Sequence, residues 1–177
     1  AGKSSIIGRA LASDPRVSFS VSFTTRAPRE GETDGIHYHF VDETTFRNMI
    51  DEDRFFEWQS VHGHMYGTPK QGIVNQLEKG YDMFLDIDVK GALNVRKECP
   101  RAVLVFVEPP SVEALRERLF RRGEREITTR MRIVGEEMEK KSFFDYTITN
   151  EDLDRAYRAF QKIVQQERER NDGTNHR

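Results

Sequence analysis

Ala1-Gly2-Lys3-Ser4-Ser5-Ile6-Ile7-Gly8-Arg9-Ala10-Leu11 opens the chain. Its first residues have the form of the last third of a Gly-x-x-x-x-Gly-Lys-Ser loop, running into a helix with Ile6, Ile7, Ala10 and Leu11 as apolar positions. In such a loop, backbone N–H groups and the helix N-terminus cradle phosphate, the lysine reaches the terminal phosphate oxygens and the serine hydroxyl meets Mg²⁺. Gly-Lys-Ser alone is a weak signal; the alternation of strands and helices downstream of it makes it decisive for the fold. The loop's first glycine and the buried strand that should precede it are not in the sequence. A parallel sheet without that strand carries an empty slot, and the chain is therefore expected to be incomplete at its start.

After Gly80 the pattern is that of βα units. Met83-Phe84-Leu85-Asp86-Ile87-Asp88 is an apolar run ending in two acids, the form of a buried parallel strand with functional groups at its carboxyl end. A helix is expected over 91–97, a second buried strand over 102–107, and a helix capped by Pro109-Pro110-Ser111 that carries Leu115 and Leu119. A charged helix over 127–141, a strand over 144–149 and an amphipathic helix marked by Leu153, Ala156, Tyr157, Phe160 and Ile163 complete the run. The polar tail from Gln166 is expected to fray. Alternating strands and helices after a phosphate loop imply an α/β fold whose central parallel sheet is flanked by helices, with the site at the strands' carboxyl ends.

Between these parts lies Ser20 to Phe40, Ser-Val-Ser-Phe-Thr-Thr-Arg-Ala-Pro-Arg-Glu-Gly-Glu-Thr-Asp-Gly-Ile-His-Tyr-His-Phe. Arg26 and Arg29 stand three apart across a proline, in a segment too rich in Gly and Pro for a helix interior, and are expected to converge on one phosphate. Tyr38 adds a hydroxyl; Ser22 and Thr24-Thr25 add small polar groups. Residues 17–23 and 36–41 alternate as strands, the second carrying His37 and His39 opposite Tyr38. Asp42 starts a short helix with Phe46, Met49 and Ile50 as its apolar stripe. Strands are expected over 55–61 and 65–68, then a helix opened by Pro69 and capped by Thr68. Glu57 sits among bulky apolar neighbours, where a carboxylate needs a reason to be; Trp58 beside it reads as core.

Of 177 residues, 36% are hydrophobic and 33% charged, as in a soluble globular domain. No apolar run approaches the about 20 residues that span a bilayer. A formal charge of −2 argues against a nucleic-acid binder, so any anion site is local. The lone Cys99 fits a reducing compartment and reads as a packing residue. The two histidine pairs, His37/His39 and His62/His64, have no Cys or patterned carboxylate beside them and read as strand-surface residues rather than metal ligands.

Taken in order, Gly2-Lys3-Ser4, Thr-Thr-Arg-Ala-Pro-Arg, Phe-Glu-Trp, Tyr-Gly-Thr, Asp-Ile-Asp-Val-Lys-Gly-Ala and Asn-Glu-Asp-Leu-Asp resemble the guanylate kinases, over nearly the whole chain to about Ile163. The resemblance implies a P-loop kinase fold with a core over about 1–25 and 80–177, a small strand-rich GMP-binding lobe over about 26–79 and a mobile lid over about 120–130. It implies transfer of the γ-phosphoryl of ATP to GMP, and to dGMP, in the cytoplasm, with Mg²⁺ and with neither nucleic acid nor membrane as partner; oligomeric state is left open. Carried over, the family pattern puts Arg26, Arg29, Tyr38 and Tyr66 on the GMP phosphate and Ser22, Glu57, Thr68 and Asp88 around the guanine. It puts Gly2, Lys3, Ser4 and Ser5 at the ATP phosphates, Asn150 near adenine, and Arg122 and Arg130 in the lid. Ser4 would hold Mg²⁺, and Asp86 would orient its water or pair with Lys3. Between Gly123 and residue 127 the chain is a few residues shorter than the family, and residues are expected to be missing there.

Guanine presents N1–H beside an amine, which a carboxylate such as Glu57 accepts bidentately, and adenine does not; Ser22 and Thr68 hydroxyls would donate to guanine O6. The alternative is a catalytically inactive module of this family that binds phosphopeptides through the same arginines. Such modules typically degrade the phosphate loop, and Gly2-Lys3-Ser4 stands intact. A kinase for another nucleotide is opposed by the pairing of Glu57 with Ser22 and Thr68.

Overall fold

The computed structural model describes residues 2–61, 63–121 and 127–174, of which 173 and 174 by backbone alone. In chain order the elements are α1 (Lys3–Ser13), β1 (Val17–Phe19), β2 (Phe23–Thr24), β3 (His39–Phe40), α2 (Glu43–Asp51), β4 (Phe55–Val61), β5 (His64–Pro69), α3 (Lys70–Glu78), β6 (Asp82–Phe84), α4 (Val89–Glu98), β7 (Val105–Glu108), α5 (Val112–Arg121), α6 (Ile127–Glu139), a 3₁₀ turn (Lys141–Phe143), β8 (Tyr146–Thr149) and α7 (Leu153–Thr174). They form two units, Asp14–Ala102 and Ala1–Ser13 with Val103–Arg177.

In the first unit the alternating run from Val17 does not stay one strand. It breaks after Phe19, so that β1 pairs in parallel with β6 while β2 joins a second sheet in the order β3-β2-β5-β4. The break places Ser22 between the sheets, where its carbonyl accepts from the His39 N–H at 2.8 Å. The expected strand over 36–41 shrinks to β3, because Gly35, at φ +75°, turns the chain and the Asp34 carboxylate ties the Phe40 N–H at 2.8 Å. Likewise 83–88 contributes only its start to β6, since Asp88 leaves the strand to cap α4 and starts that helix two residues before 91.

The β3-β2-β5-β4 sheet has two distinct faces, and a bulge in β4 sets them. Phe55 pairs with Pro69 and Glu57 with Thr68, so Phe56 is an extra residue. A bulge re-aims its neighbours. Phe55 then packs with Phe46, Met49 and Met65 under α2, while Glu57 faces the other side. Each such buried side chain contributes about 1.5–3 kcal/mol. Helix α2 forms where the Asp42 carboxylate accepts from the Thr45 N–H at 2.7 Å and Phe46 and Met49 recur on one face. Trp58, expected in the core, is instead 46% exposed: alternation puts it on the face opposite Glu57 and Gln59, but the space over its cross-strand partner Gly67 is already filled by the Phe55 and Phe46 rings. Thr68 does not cap α3 as expected; it lies in β5, Pro69 holds the cap position without a side-chain bond, and the Thr68 hydroxyl serves Glu57.

Gly67 is required by this packing. A Cβ there would come within 2.8 Å of the Phe55 ring and 3.0 Å of Phe46 Cζ. Gly67→Ala is expected to cost about 1–3 kcal/mol, read as a lower urea midpoint at unchanged slope.

In the second unit β7 and β8 pair in parallel. Ile6 of α1, Ile148 of β8 and Ala156 of α7 form its core. Arg9 pairs with Asp154 and Ser13 with Tyr157, which ties α1 to α7. The tail from Gln166, expected to fray, continues α7: Glu167 accepts from Tyr146 at 2.5 Å and from Arg170 at 2.9 Å.

Candidate active site

The first half-site lies in the unit Asp14–Ala102, on the sheet face that carries Glu57. Cross-strand pairing sets Glu57 opposite Thr68 and Gln59 opposite Tyr66. The Thr68 hydroxyl donates to Glu57 Oε1 at 2.7 Å; Glu57 Oε2 is buried with no partner. Oε2 lies at the first turn of α4, where a Cβ on Gly91 would stand 3.2 Å from it and from Asp88 Oδ1. The structure thus brings Glu57, Thr68 and Asp88 together, with Asp88 holding the Gly91 N–H at 2.7 Å. Burial, with a smaller contribution from the Asp88 charge, pushes the Glu57 carboxyl above its ordinary range against the opposing Thr68 bond. A buried carboxylate with one oxygen unpaired lacks donors, and a ligand edge bearing two N–H groups supplies them.

On the same sheet Arg26 follows β2. Its Cζ lies 5.5 Å from the Tyr38 ring centroid and 5.8 Å from that of Phe40, and the Tyr38 and Tyr66 rings stand 6.0 Å apart. Burial pushes the Tyr38 phenol up, as do Tyr66 and the Asp86 charge in smaller measure. Arg29 is exposed, and its charge and Arg26 both act on Glu32. Nη1 and Nη2 of Arg26 donate to the two Glu32 oxygens at 3.0 and 2.9 Å. Glu32 escapes sequence reasoning because an acid beside Gly31 and Thr33 looks like a solvated loop residue; its spacing from Arg26 and Arg29 is the available signal. Thr24 and Thr25 act in support: Thr24 Oγ1 accepts from the Arg26 N–H at 3.2 Å, and Thr25 Oγ1 from the Met65 N–H at 2.9 Å. His37 Nδ1 accepts from the Thr33 N–H at 2.9 Å, and His39 packs on Phe23.

The second half-site lies in the other unit. Lys3, Ser4 and Ser5 form the first turn of α1, whose N–H groups are directed away from the helix and which carries no acid. Gly2, at φ +87°, precedes it, and a Cβ there would collide with the Asn150 amide. Asn150 is held after β8 by its N–H to the Glu108 carbonyl at 2.8 Å. Arg118 donates from Nη2 to the Asn150 carbonyl at 3.0 Å. It shares the inward stripe of α5 with Leu115 and Leu119, a spacing that could have identified it. Gly2, Ser5, Arg118, Asn150 and Leu153 line a cavity of about 330 Å³. Arg130 is exposed on α6; Arg122 lies outside the described residues, as does His62.

Ser4 supplies one hydroxyl oxygen, and Asp86, in the other unit, carries a carboxylate. Among the described residues no group of three or more His, Cys, Asp or Glu could hold a metal by itself. Each of Ser4 and Asp86, taken by itself, is a hard oxygen donor, of the kind that suits Mg²⁺ bound chiefly by phosphate and water. No helix among the described residues is long and apolar enough to cross a membrane.

The guanylate kinase family model matches residues 1–167. A guanylate kinase of Caldanaerobacter subterraneus subsp. tengcongensis is 42% identical over 167 residues, covering 93% of this chain and 81% of the relative. One from Xanthomonas campestris pv. campestris is 47% identical over 159 residues, with 88% and 78% covered. The crystal structure of guanylate kinase from Anaplasma phagocytophilum superposes with a TM-score of 0.80 at 30% identity, covering 93% of this chain and 81% of that one. Sequence and fold agree: the chain belongs to the guanylate kinase family.

Proposed function

We infer that this protein transfers the γ-phosphoryl of ATP to GMP, giving ADP and GDP. The observation that carries the choice of acceptor is the buried Glu57 carboxylate with Oε2 unpaired. Guanine N1–H and its amine meet that need, whereas adenine would leave it unmet. In the free protein the Thr68 proton points at Glu57 rather than toward a guanine O6, so Thr68 orients the carboxylate and Ser22 is left as the donor to O6. Asp88 fixes the N-terminus of α4 beside the base. Arg26, Arg29, Tyr38 and Tyr66 receive the acceptor phosphate.

On the donor side, the first turn of α1 with Gly2, Lys3, Ser4 and Ser5 binds the ATP phosphates, and Asn150 meets the adenine. Ser4, with Asp86 through water, would hold Mg²⁺, which when bound neutralises charge on the transferred group. An acceptor phosphate is already anionic, so no general base is needed; Lys3, Arg26 and Arg29, with Arg122 and Arg130 of a lid over about 120–130, position the groups and offset the developing charge. On this reading the core spans about 1–25 and 80–177 and the GMP-binding lobe about 26–79, and the protein works in the cytoplasm. A coupled assay with MgATP and each of GMP, dGMP, AMP, UMP and CMP is expected to show turnover with GMP and dGMP. Absence of GMP turnover overturns the assignment and leaves a phosphopeptide-binding module of the family.

A further inference from the structure

We propose that Glu32 is a positioning residue for the acceptor phosphate, holding the Arg26 guanidinium and the arch of residues 26–32 in the geometry that receives it. The proposal rests on the acceptor reading above and adds a residue to it. An arginine has five N–H donors. In Arg26, Nη1 gives one to the Ala27 carbonyl at 2.7 Å and one to Glu32 Oε2 at 3.0 Å, and Nη2 gives one to Glu32 Oε1 at 2.9 Å. Glu32 therefore takes the terminal edge of the fork. The lateral edge, Nε with the second Nη2–H, takes no part in that pair; the Tyr66 hydroxyl also interacts with this guanidinium, so that an anion arriving on the side away from Glu32 would meet both.

Two further bonds distinguish a fixed brace from a side chain that merely fills the fork. Glu32 Oε2 also accepts from the Arg29 N–H at 2.7 Å, and the Glu32 N–H donates to the Arg29 carbonyl at 3.0 Å. One carboxylate thus binds the side chain of Arg26 and the backbone of Arg29, and Gly31, at φ +81°, makes the tight return possible. The rings of Tyr38 and Phe40 flank the same guanidinium, so its plane is constrained from the ring side as well as from the end. The Arg26–Glu32 pair is mostly shielded, with side-chain exposures of 11% and 19%. Arg26 and Arg29 hold the Glu32 carboxyl below its ordinary range, so the brace is charged throughout the neutral range. A loop arginine left to itself would sample many rotamers; this one is pre-set, which lowers the ordering cost when phosphate arrives.

The test is titration of the full chain and its Glu32→Gln variant with GMP, guanosine and inorganic phosphate. Glu32→Gln is expected to weaken GMP and phosphate by about tenfold while guanosine changes less than about twofold, and to raise KM for GMP with little change in kcat. In an Arg26→Ala background the same substitution is expected to have a smaller effect on GMP, the part carried by Arg29. Unchanged or tighter GMP binding in Glu32→Gln overturns the proposal, since Glu32 would then be a spectator or an occupant that phosphate displaces. Parallel loss of guanosine also overturns it, as does an undiminished effect without Arg26. Failure of the acceptor reading itself shows differently: the unaltered chain would bind GMP no better than guanosine.

Discussion

Glu57→Gln is expected to weaken GMP binding by about 30- to 150-fold, equivalent to about 2–3 kcal/mol, and at the same time to stabilise the ligand-free protein at neutral pH. Both effects come from one buried oxygen. Oε2 has no partner in the free protein, so the charge there is costly until a ligand brings donors to it. An amide removes the charge but sets its own N–H₂ against the donor edge of guanine. Sign and pH dependence have their origin in the same burial. The Glu57 carboxyl is raised in the folded protein, so the native state binds its proton more tightly than the unfolded chain does. The stability this contributes is fully present below the unfolded carboxyl range and is lost as pH rises through the folded value. GMP affinity runs the other way, falling as pH drops through that value, because only the carboxylate accepts two N–H bonds. Thermal unfolding and GMP titration across pH, for both proteins, check this: the Gln variant should lose this component of both dependences. A variant that keeps normal GMP kinetics removes Glu57 from the base pocket.

The second large effect concerns Lys3. Lys3→Ala is expected to lower kcat by about 10²- to 10³-fold, as loss of one charge-stabilising donor does, while GMP affinity stays within about twofold. The reason lies in position. Lys3 opens α1 in the unit Ala1–Ser13 with Val103–Arg177, while Glu57 and Arg26 belong to the unit Asp14–Ala102. Its loss therefore leaves the acceptor half-site intact and acts on the transferred group. Steady-state kinetics paired with direct GMP titration separate the two; equal losses in kcat and GMP affinity would contradict a donor-side role.

The features legible in the sequence share a cause: they are set by local periodicity or by a motif in which each residue has one job. Strand β4 and the odd carboxylate within it stand out from alternation, and α2 from Asp42 and its apolar stripe. The features that escape depend on distant partners. Alternation continues unbroken from Val17 to Phe23, so nothing local marks the change of sheet that Ser22 occupies. Thr68 before Pro69 has the form of a helix cap, and only its cross-strand neighbour Glu57 explains why its hydroxyl is spent elsewhere. Glu32 and Arg118 look like ordinary surface charges until the groups they hold, the Arg26 fork and the Asn150 carbonyl, are in place. The helical tail misleads for the opposite reason: polarity alone does not end a helix whose side chains bond one another.

Phe56 is a spacer, and that makes this strand vulnerable to a kind of change that point substitution does not produce. Because it stands unopposed between Phe55 and Glu57, it lets one strand send a ring into the oily interior and, two positions later, a carboxylate to the opposite side. Were Phe56 drawn into the ladder as a paired residue, Phe55 and Glu57 would fall on the same side, forcing the acid into the interior or the ring out of it. For the proposed acceptor site, keeping Phe56 out of the ladder therefore matters as much as the identity of the acid itself.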